Sequence, residues 1–477
     1  MTKKSLNFLS ISLFRNFSYS ISSNLVTLFV STLLILIVPK IVGVEQYGYW
    51  QLYLFYSSYV GFLHFGWNDG IYLRYGGKEY SDLDKKLFFS QFYMLLIFQF
   101  IISIILFTGI NVFMSDINRI YVLNLTIVCM IITNIRLMLS YILQVTNKIK
   151  EYAFINVLDR ISYCLLLGLF LLIGITNYKL IIVADLFGKF FSLIIAMYFC
   201  KEIVIGKLGF FYLNVSEAKE NIKAGIKLML ANIASLLIVG VTRFGIERAW
   251  DVSTFAKVSL TFSISNLLML FINAIGTVLF PMLRRTSAIN LPIIYKCTRD
   301  ILMFIMFGAL LVYYPLKYVL LGWLPKYEES FIYLALLFPM CIFEGKIALL
   351  INTYLKTLRK EKVILKINII SLGLSVLITY FTTTLLKNLN LAVLSIVLIL
   401  AFRCVAAELV LSKSLKISIN KDILLELTLS GVFVFIGWFA NSWYAFLIYL
   451  FFYILYLILK KKDILSSFSQ LKLLLKS

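Results

Sequence analysis

The chain has 477 residues, 61% of them hydrophobic and only 14% charged, with a mean hydropathy of +0.93. This excludes a soluble globular protein, whose charged fraction is about a quarter. The formal net charge of +22 would suggest nucleic acid in a soluble protein, but the basic residues stand in short blocks between apolar runs of about 20 residues, the length that crosses a bilayer.

Taken in chain order, the runs predict an all-α integral membrane protein of about 14 transmembrane helices. They lie at Tyr19–Lys40, Tyr47–Tyr72, Leu87–Gly109, Tyr121–Gln144, Tyr152–Gly174, Leu180–Phe199, Ile222–Gly245, Phe255–Phe280, Ile301–Leu321, Phe331–Tyr354, Val363–Leu385, Leu391–Leu411, Ile423–Ala440 and Tyr444–Leu459. An even number places both termini on one side. That side collects 31 of the Lys and Arg residues against 7 opposite, with 7 more inside or at the rim of spans. The positive-inside rule then predicts cytoplasmic termini. After Lys3 and Lys4 no short apolar region ends in small residues, so no cleaved signal peptide is expected. The six cysteines, Cys129, Cys164, Cys200, Cys297, Cys341 and Cys404, are far apart and form no C-x-x-C, which argues against disulfides and metal sites.

A weak internal repeat is present. Gly43-Val44-Glu45-Gln46 and Gly245-Ile246-Glu247-Arg248 are offset by 202 residues and both read as the link after the first span of a unit. Six spans per unit would give two six-helix lobes in a parallel pseudo-twofold repeat, plus two C-terminal helices. The expected division is an N-lobe over 1–200, a cytoplasmic inter-lobe linker over 201–221, a C-lobe over 222–415, and the last two helices with a basic cytoplasmic tail over 416–477.

The segments Gly43-Val44-Glu45-Gln46-Tyr47-Gly48 and Phe65-Gly66-Trp67-Asn68-Asp69-Gly70-Ile71-Tyr72-Leu73-Arg74-Tyr75-Gly76-Gly77 resemble the first two spans of bacterial polysaccharide exporters of the O-antigen flippase type. Phe280-Pro281, Gly322-Trp323-Leu324-Pro325-Lys326-Tyr327 and the stretch from Asn352 to Lys362 follow in that family's order. The resemblance covers about the first 400 residues. It implies two six-helix lobes around a central cavity, membership of the multidrug, oligosaccharidyl-lipid and polysaccharide exporter superfamily, a location in the bacterial inner membrane, and glycan-assembly membrane proteins as partners beside the bilayer itself.

Catalytic motifs are absent: the sequence has no G-x-x-x-x-G-K-[ST], no H-E-x-x-H and no G-x-S-x-G, and it has one histidine. Asp82-Leu83-Asp84 has metal-binding spacing but reads as a solvated charge run. No enzymatic activity, cofactor, metal or nucleic-acid partner is expected. The remaining task is transport, and the expected substrate is a polyprenyl-diphosphate-linked oligosaccharide moved by alternating access for surface polysaccharide synthesis. Each unpaired hydroxyl would cost several kcal/mol in hydrocarbon, so such a sugar needs a polar path, and arginine suits its diphosphate because the guanidinium fork binds phosphate oxygens in pairs.

The resemblance implies that the first, second, seventh and eighth helices line the path. Asn24, Asn68, Asn232, Asn266 and Asn273, with Arg136, Arg243 and Arg248, are the expected substrate-binding residues, and His64, Asp69 and Glu247 the coupling or gating groups. Ser259, Ser263, Asn266 and Asn273 share one helical face. Each assignment has a plain structural counterpart: helix packing for the small polar residues, pairing with Asp159 for Arg136, and an interfacial salt bridge among Arg243, Glu247 and Arg248. Local neutralisation is expected for Asp185 with Lys189, Glu344 with Lys346 and Arg403 with Glu408. The rival readings are a drug or cation antiporter of the same superfamily, which needs a deep acidic residue such as Asp185, and a membrane glycosyltransferase or polymerase, which needs an unpaired external carboxylate such as Glu45, Asp116, Glu328 or Glu329.

Overall fold

A computed structural model describes residues 3–285, 290–440 and 443–474. The described residues are mostly helical, without strands. Eleven helices are long and apolar enough to cross a membrane, or twelve when a pair bent by 41° is taken as one span. Thirteen of the fourteen predicted spans fall mainly on helix, and the second is divided between two helices by a turn over residues 58–66. The second and eighth are not among the twelve. The protein is therefore a multi-pass membrane protein.

The chain forms two compact units, Met1–Ile233 and Ala234–Ser477. In the first, α1 (Lys3–Ile41) packs on α6 (Ile149–Leu172), which in turn packs on α7 (Tyr178–Phe199). The helix α5 (Ile117–Val145) is the centrepiece, touching α2 (Val44–Ser57), α3 (Trp67–Arg74), α4 (Lys85–Phe113), α6 and α7. Short polar side chains start these helices by accepting the first free backbone N–H groups. Asp84 accepts from Lys86 and Leu87, Asp116 from Asn118 and Arg119, and Asn177 from Lys179. Asp84 of the D-x-D motif thus serves as a helix cap.

The short α8 (Lys201–Val204) leads to α9 (Val215–Ala249), whose first half belongs to this unit. There α9 meets α3 backbone to backbone. A Cβ added at Gly70 would overlap the Asn221 carbonyl, and one added at Gly225 would overlap Gly66 and Gly70. Missing side chains permit this approach, as small residues commonly do in membrane helices.

The second unit is built on α17 (Leu389–Leu415), packed against α16 (Glu361–Tyr380), α13 (Phe331–Leu337) and α14 (Met340–Lys346). The bent pair is α13 with α14 and α15 (Asn352–Thr357). Its break follows Phe338 at Pro339, where proline removes an N–H from the helical ladder. Around these lie α10 (Val252–Arg285), α11 (Leu291–Leu310), α12 (Tyr313–Trp323), α18 (Asn420–Phe439) and α19 (Trp443–Leu474), with α19 packed along α11.

One expectation is corrected. Gly245 to Arg248 are not a link between spans but the last turns of α9, whereas Gly43 precedes α2. Gly245 serves close packing, since a Cβ there would run into Thr379 of α16. The four-residue match therefore does not mark equivalent positions.

Replacing Gly225 or Gly70 by valine is expected to lower the folded yield and melting temperature in detergent, by at least the 1–3 kcal/mol typical of overpacking. Gly109→Ala, where a Cβ meets nothing, should leave both unchanged.

Candidate functional site

The second predicted span is broken. After α2 the chain turns through residues 58–66, with Phe65 and Gly66 both left-handed at φ 52° and 85°, before α3 begins. Backbone groups freed by such a break must be satisfied inside the protein when lipid surrounds it. Here buried amides of neighbouring helices do so. Asn134 Nδ2 of α5 donates to the Val60 carbonyl at 3.0 Å and to Gln99 Oε1 at 2.8 Å, and Gln99 Nε2 of α4 donates to the Leu63 carbonyl at 3.0 Å. Asn68 Nδ2 donates to the Asn134 carbonyl at 2.9 Å, and Trp67 Nε1 to Gln91 Oε1 at 3.0 Å.

Within this cluster His64 and Asp69 face each other, Nε2 to Oδ2 at 3.6 Å, both buried. The Gly66 N–H donates to His64 Nδ1 at 3.0 Å. That bond fixes the tautomer: Nδ1 is the acceptor and the ring proton sits on Nε2, toward Asp69. Beyond the cluster, Arg74 at the end of α3 binds Glu217 at 2.5 Å, Asn221 at 2.5 Å and Glu220 at 2.6 Å on α9, and Tyr75 Oη donates to Glu217 at 2.8 Å. Burial and this bond raise the Tyr75 phenol above its ordinary range.

The other expected residues divide by surroundings. Arg136 pairs with Asp159 at 2.9 Å and donates to Ser192 at 3.4 Å, the structural alternative foreseen for it. Lys189 pairs with Asp185, which also accepts from Tyr53 at 2.5 Å. Asn24 and Asn232 are exposed, and Asn266 is half-buried. The side chain of Asn273 lies outside the described residues.

In the second unit, Arg243 donates Nη2 to Ser259 Oγ at 3.1 Å and lies 4.7 Å from the Phe262 ring centre. Glu247 is buried and 3.3 Å from Arg248, whose side chain is 51% exposed. His64, Asn68 and Asp69 therefore meet in one cluster, and Arg243, Glu247 and Arg248 share one helix end.

Two expected pairs are wrong. Glu344 binds Arg403 at 3.0 Å, not Lys346. Lys346 instead pairs with Glu408 and, at 2.6 Å, with Glu426. Residues two or five apart do not face each other on a helix, so these groups find partners across helices.

Sequence reasoning also missed the largest buried charge network among the described residues. Arg299, just before the predicted span at Ile301–Leu321, is 1% exposed. It binds Glu408 and Glu426 at 2.7 Å and Asp422 at 3.3 Å, while Lys460 binds Asp300, Asp422 and Asp463 at 2.8–3.1 Å. This network ties α11, α14, α17, α18 and α19 together. The adjacent opposite charges of Arg299-Asp300 were the only sequence signal.

No protein-family model matches the sequence, and no curated protein matches it. Solved structures do. A lipid II flippase, MurJ, in an inward closed conformation superposes with a TM-score of 0.65 over 94% of this chain and 99% of its own, at 15% identity. An inward-facing multidrug resistance MATE family transporter of the MOP superfamily superposes with a TM-score of 0.51 over 82% and 99%, at 14% identity. The chain shares the fold of these two proteins.

Arg136→Ala is expected to destabilise the protein by about 3–5 kcal/mol, because it strands a buried carboxylate. The double variant Arg136→Ala/Asp159→Ala should recover most of that loss in a thermal melt. Lys346→Met should cost a similar amount by leaving Glu408 and Glu426 short of a cation.

Proposed function

We propose that this protein is a flippase that carries a polyprenyl-diphosphate-linked oligosaccharide from the cytoplasmic to the outer leaflet of the bacterial inner membrane by alternating access. The observation that carries this reading is the fold, shared over nearly the whole chain with a protein described as a lipid II flippase. The resemblance of the 43–77 segment to O-antigen flippases supports the sugar-lipid class, and the bias of basic residues supports cytoplasmic termini.

Arg243 and Arg248 are the cations that this reading assigns to the diphosphate. Arg136 serves the fold instead, through Asp159. Outward movement of an anionic headgroup is favoured by an inside-negative potential, by about 2.3 kcal/mol per charge per 100 mV. The work is binding and passage, with no covalent step.

The second reading, a drug or cation antiporter, draws on the MATE neighbour. It needs a deep acidic residue free to bind the exported cation, and Asp185 is already held by Lys189 and Tyr53. That pairing favours the flippase.

In proteoliposomes, a fluorescent polyprenyl-diphosphate sugar should change leaflet in the presence of the wild type, and more slowly on depolarisation. Arg243→Ala and Arg248→Ala should each slow it about tenfold or more, the cost of one charge-assisted phosphate contact. Efflux of cationic dyes without movement of the sugar lipid would establish the antiporter instead.

A further inference from the structure

We propose that Asp69 is a proton-binding carboxylate, with His64 as its fixed neutral neighbour. The inference supplies the coupling ion for the transport reading above and rests on that reading only for its use, not for its existence.

A buried carboxylate normally has a cation or several donors. Every other buried acid of the first unit follows this rule: Asp159 has Arg136, and Asp185 has Lys189. Among the described residues Asp69 has only His64 within ion-pair distance. His64 would gain charge by taking a second proton at Nδ1, but that nitrogen already accepts the Gly66 N–H. Protonating it would set two donors against each other and break the bond that holds the left-handed Phe65-Gly66 turn. The imidazole thus stays neutral while the turn is intact, and Asp69 lacks a counter-cation.

The remaining surroundings offer none either. The titratable group facing Asp69 from α5 is the Tyr141 phenol. Around the α3 face that α9 covers lie Asn221, Gly225 and Glu217, with Glu217 taken by Arg74. From α4 the cluster holds only the uncharged amides of Gln91, bound to Trp67, and Gln99, bound to Leu63 and Asn134. Arg74, one turn beyond Asp69 on α3, is itself saturated by Glu217, Glu220 and Asn221.

Two effects oppose each other at Asp69. It lies in the first turn of α3, where the helix dipole favours the anion, and it is buried without a cation, which favours the acid. The balance makes a site that takes a proton from water as the neutral carboxylic acid and returns it as the carboxylate. Because Asp69 stands three residues after the Gly66 turn, its charge acts where the second span is broken.

The test uses the full-length wild type in lipid. Dicyclohexylcarbodiimide, which reacts with protonated carboxyls in apolar surroundings, should form an adduct on Asp69 located by peptide mass, and the yield should fall as pH rises. Infrared difference spectra between acid and alkaline buffer should show a protonated-carboxyl band that is lost in Asp69→Asn and kept, at shifted frequency, in Asp69→Glu. No adduct at Asp69 at any pH, or a band unchanged in Asp69→Asn, overturns the inference, as does a response to sodium with none to protons. A titrating Asp69 in a protein that moves no sugar lipid leaves the proton site standing and removes the flippase reading.

Discussion

Every polar backbone group placed at membrane depth must find its partner inside the protein, because hydrocarbon offers none. The second span breaks this continuity at residues 58–66, and the surrounding structure answers it. Gln99 of α4 and Asn134 of α5, both buried, are placed where their amides reach the Leu63 and Val60 carbonyls. The glycines of α3 and α9 let the two backbones touch below the break. A break that costs this many specific side chains is maintained for a purpose, and it is where His64 and Asp69 meet.

The same constraint governs charge. The second unit balances Arg299, Lys346 and Lys460 against carboxylates from four helices, so that none stays alone. In the first unit, Arg136 and Lys189 are balanced in the same way. Buried pairs of this kind contribute little net stability, because desolvation offsets their attraction, but removing one partner is costly. They therefore specify which helices lie together. Against that background, Asp69 stands out among the described residues as a buried acid whose one ion-pair neighbour is a neutral histidine.

How much was legible before the structure depended on the range of the interaction. Asp185 and Lys189, four apart on one helix, were paired correctly from spacing. Arg136 with Asp159 was foreseen as an alternative. Glu344, Lys346, Arg403 and Glu408 were mismatched, because neighbours in sequence were taken for neighbours in space. Arg299 fell outside the predicted spans, since its helix starts ten residues before the span at Ile301. Likewise, the match between Gly43–Gln46 and Gly245–Arg248 concealed that one opens a helix and the other closes one.

The sequence by itself determined that the chain is a helical membrane protein and where most of its apolar helices lie. Hydropathy and charge bias are sums over consecutive residues, so no knowledge of packing is needed to read them. Only the tertiary structure decided which charges neutralise one another, that the second span is broken, and that the Gly66 N–H fixes the state of the one histidine. Those outcomes depend on the register of one helix against another, set by side chains far apart in the chain, and hydropathy carries no record of it.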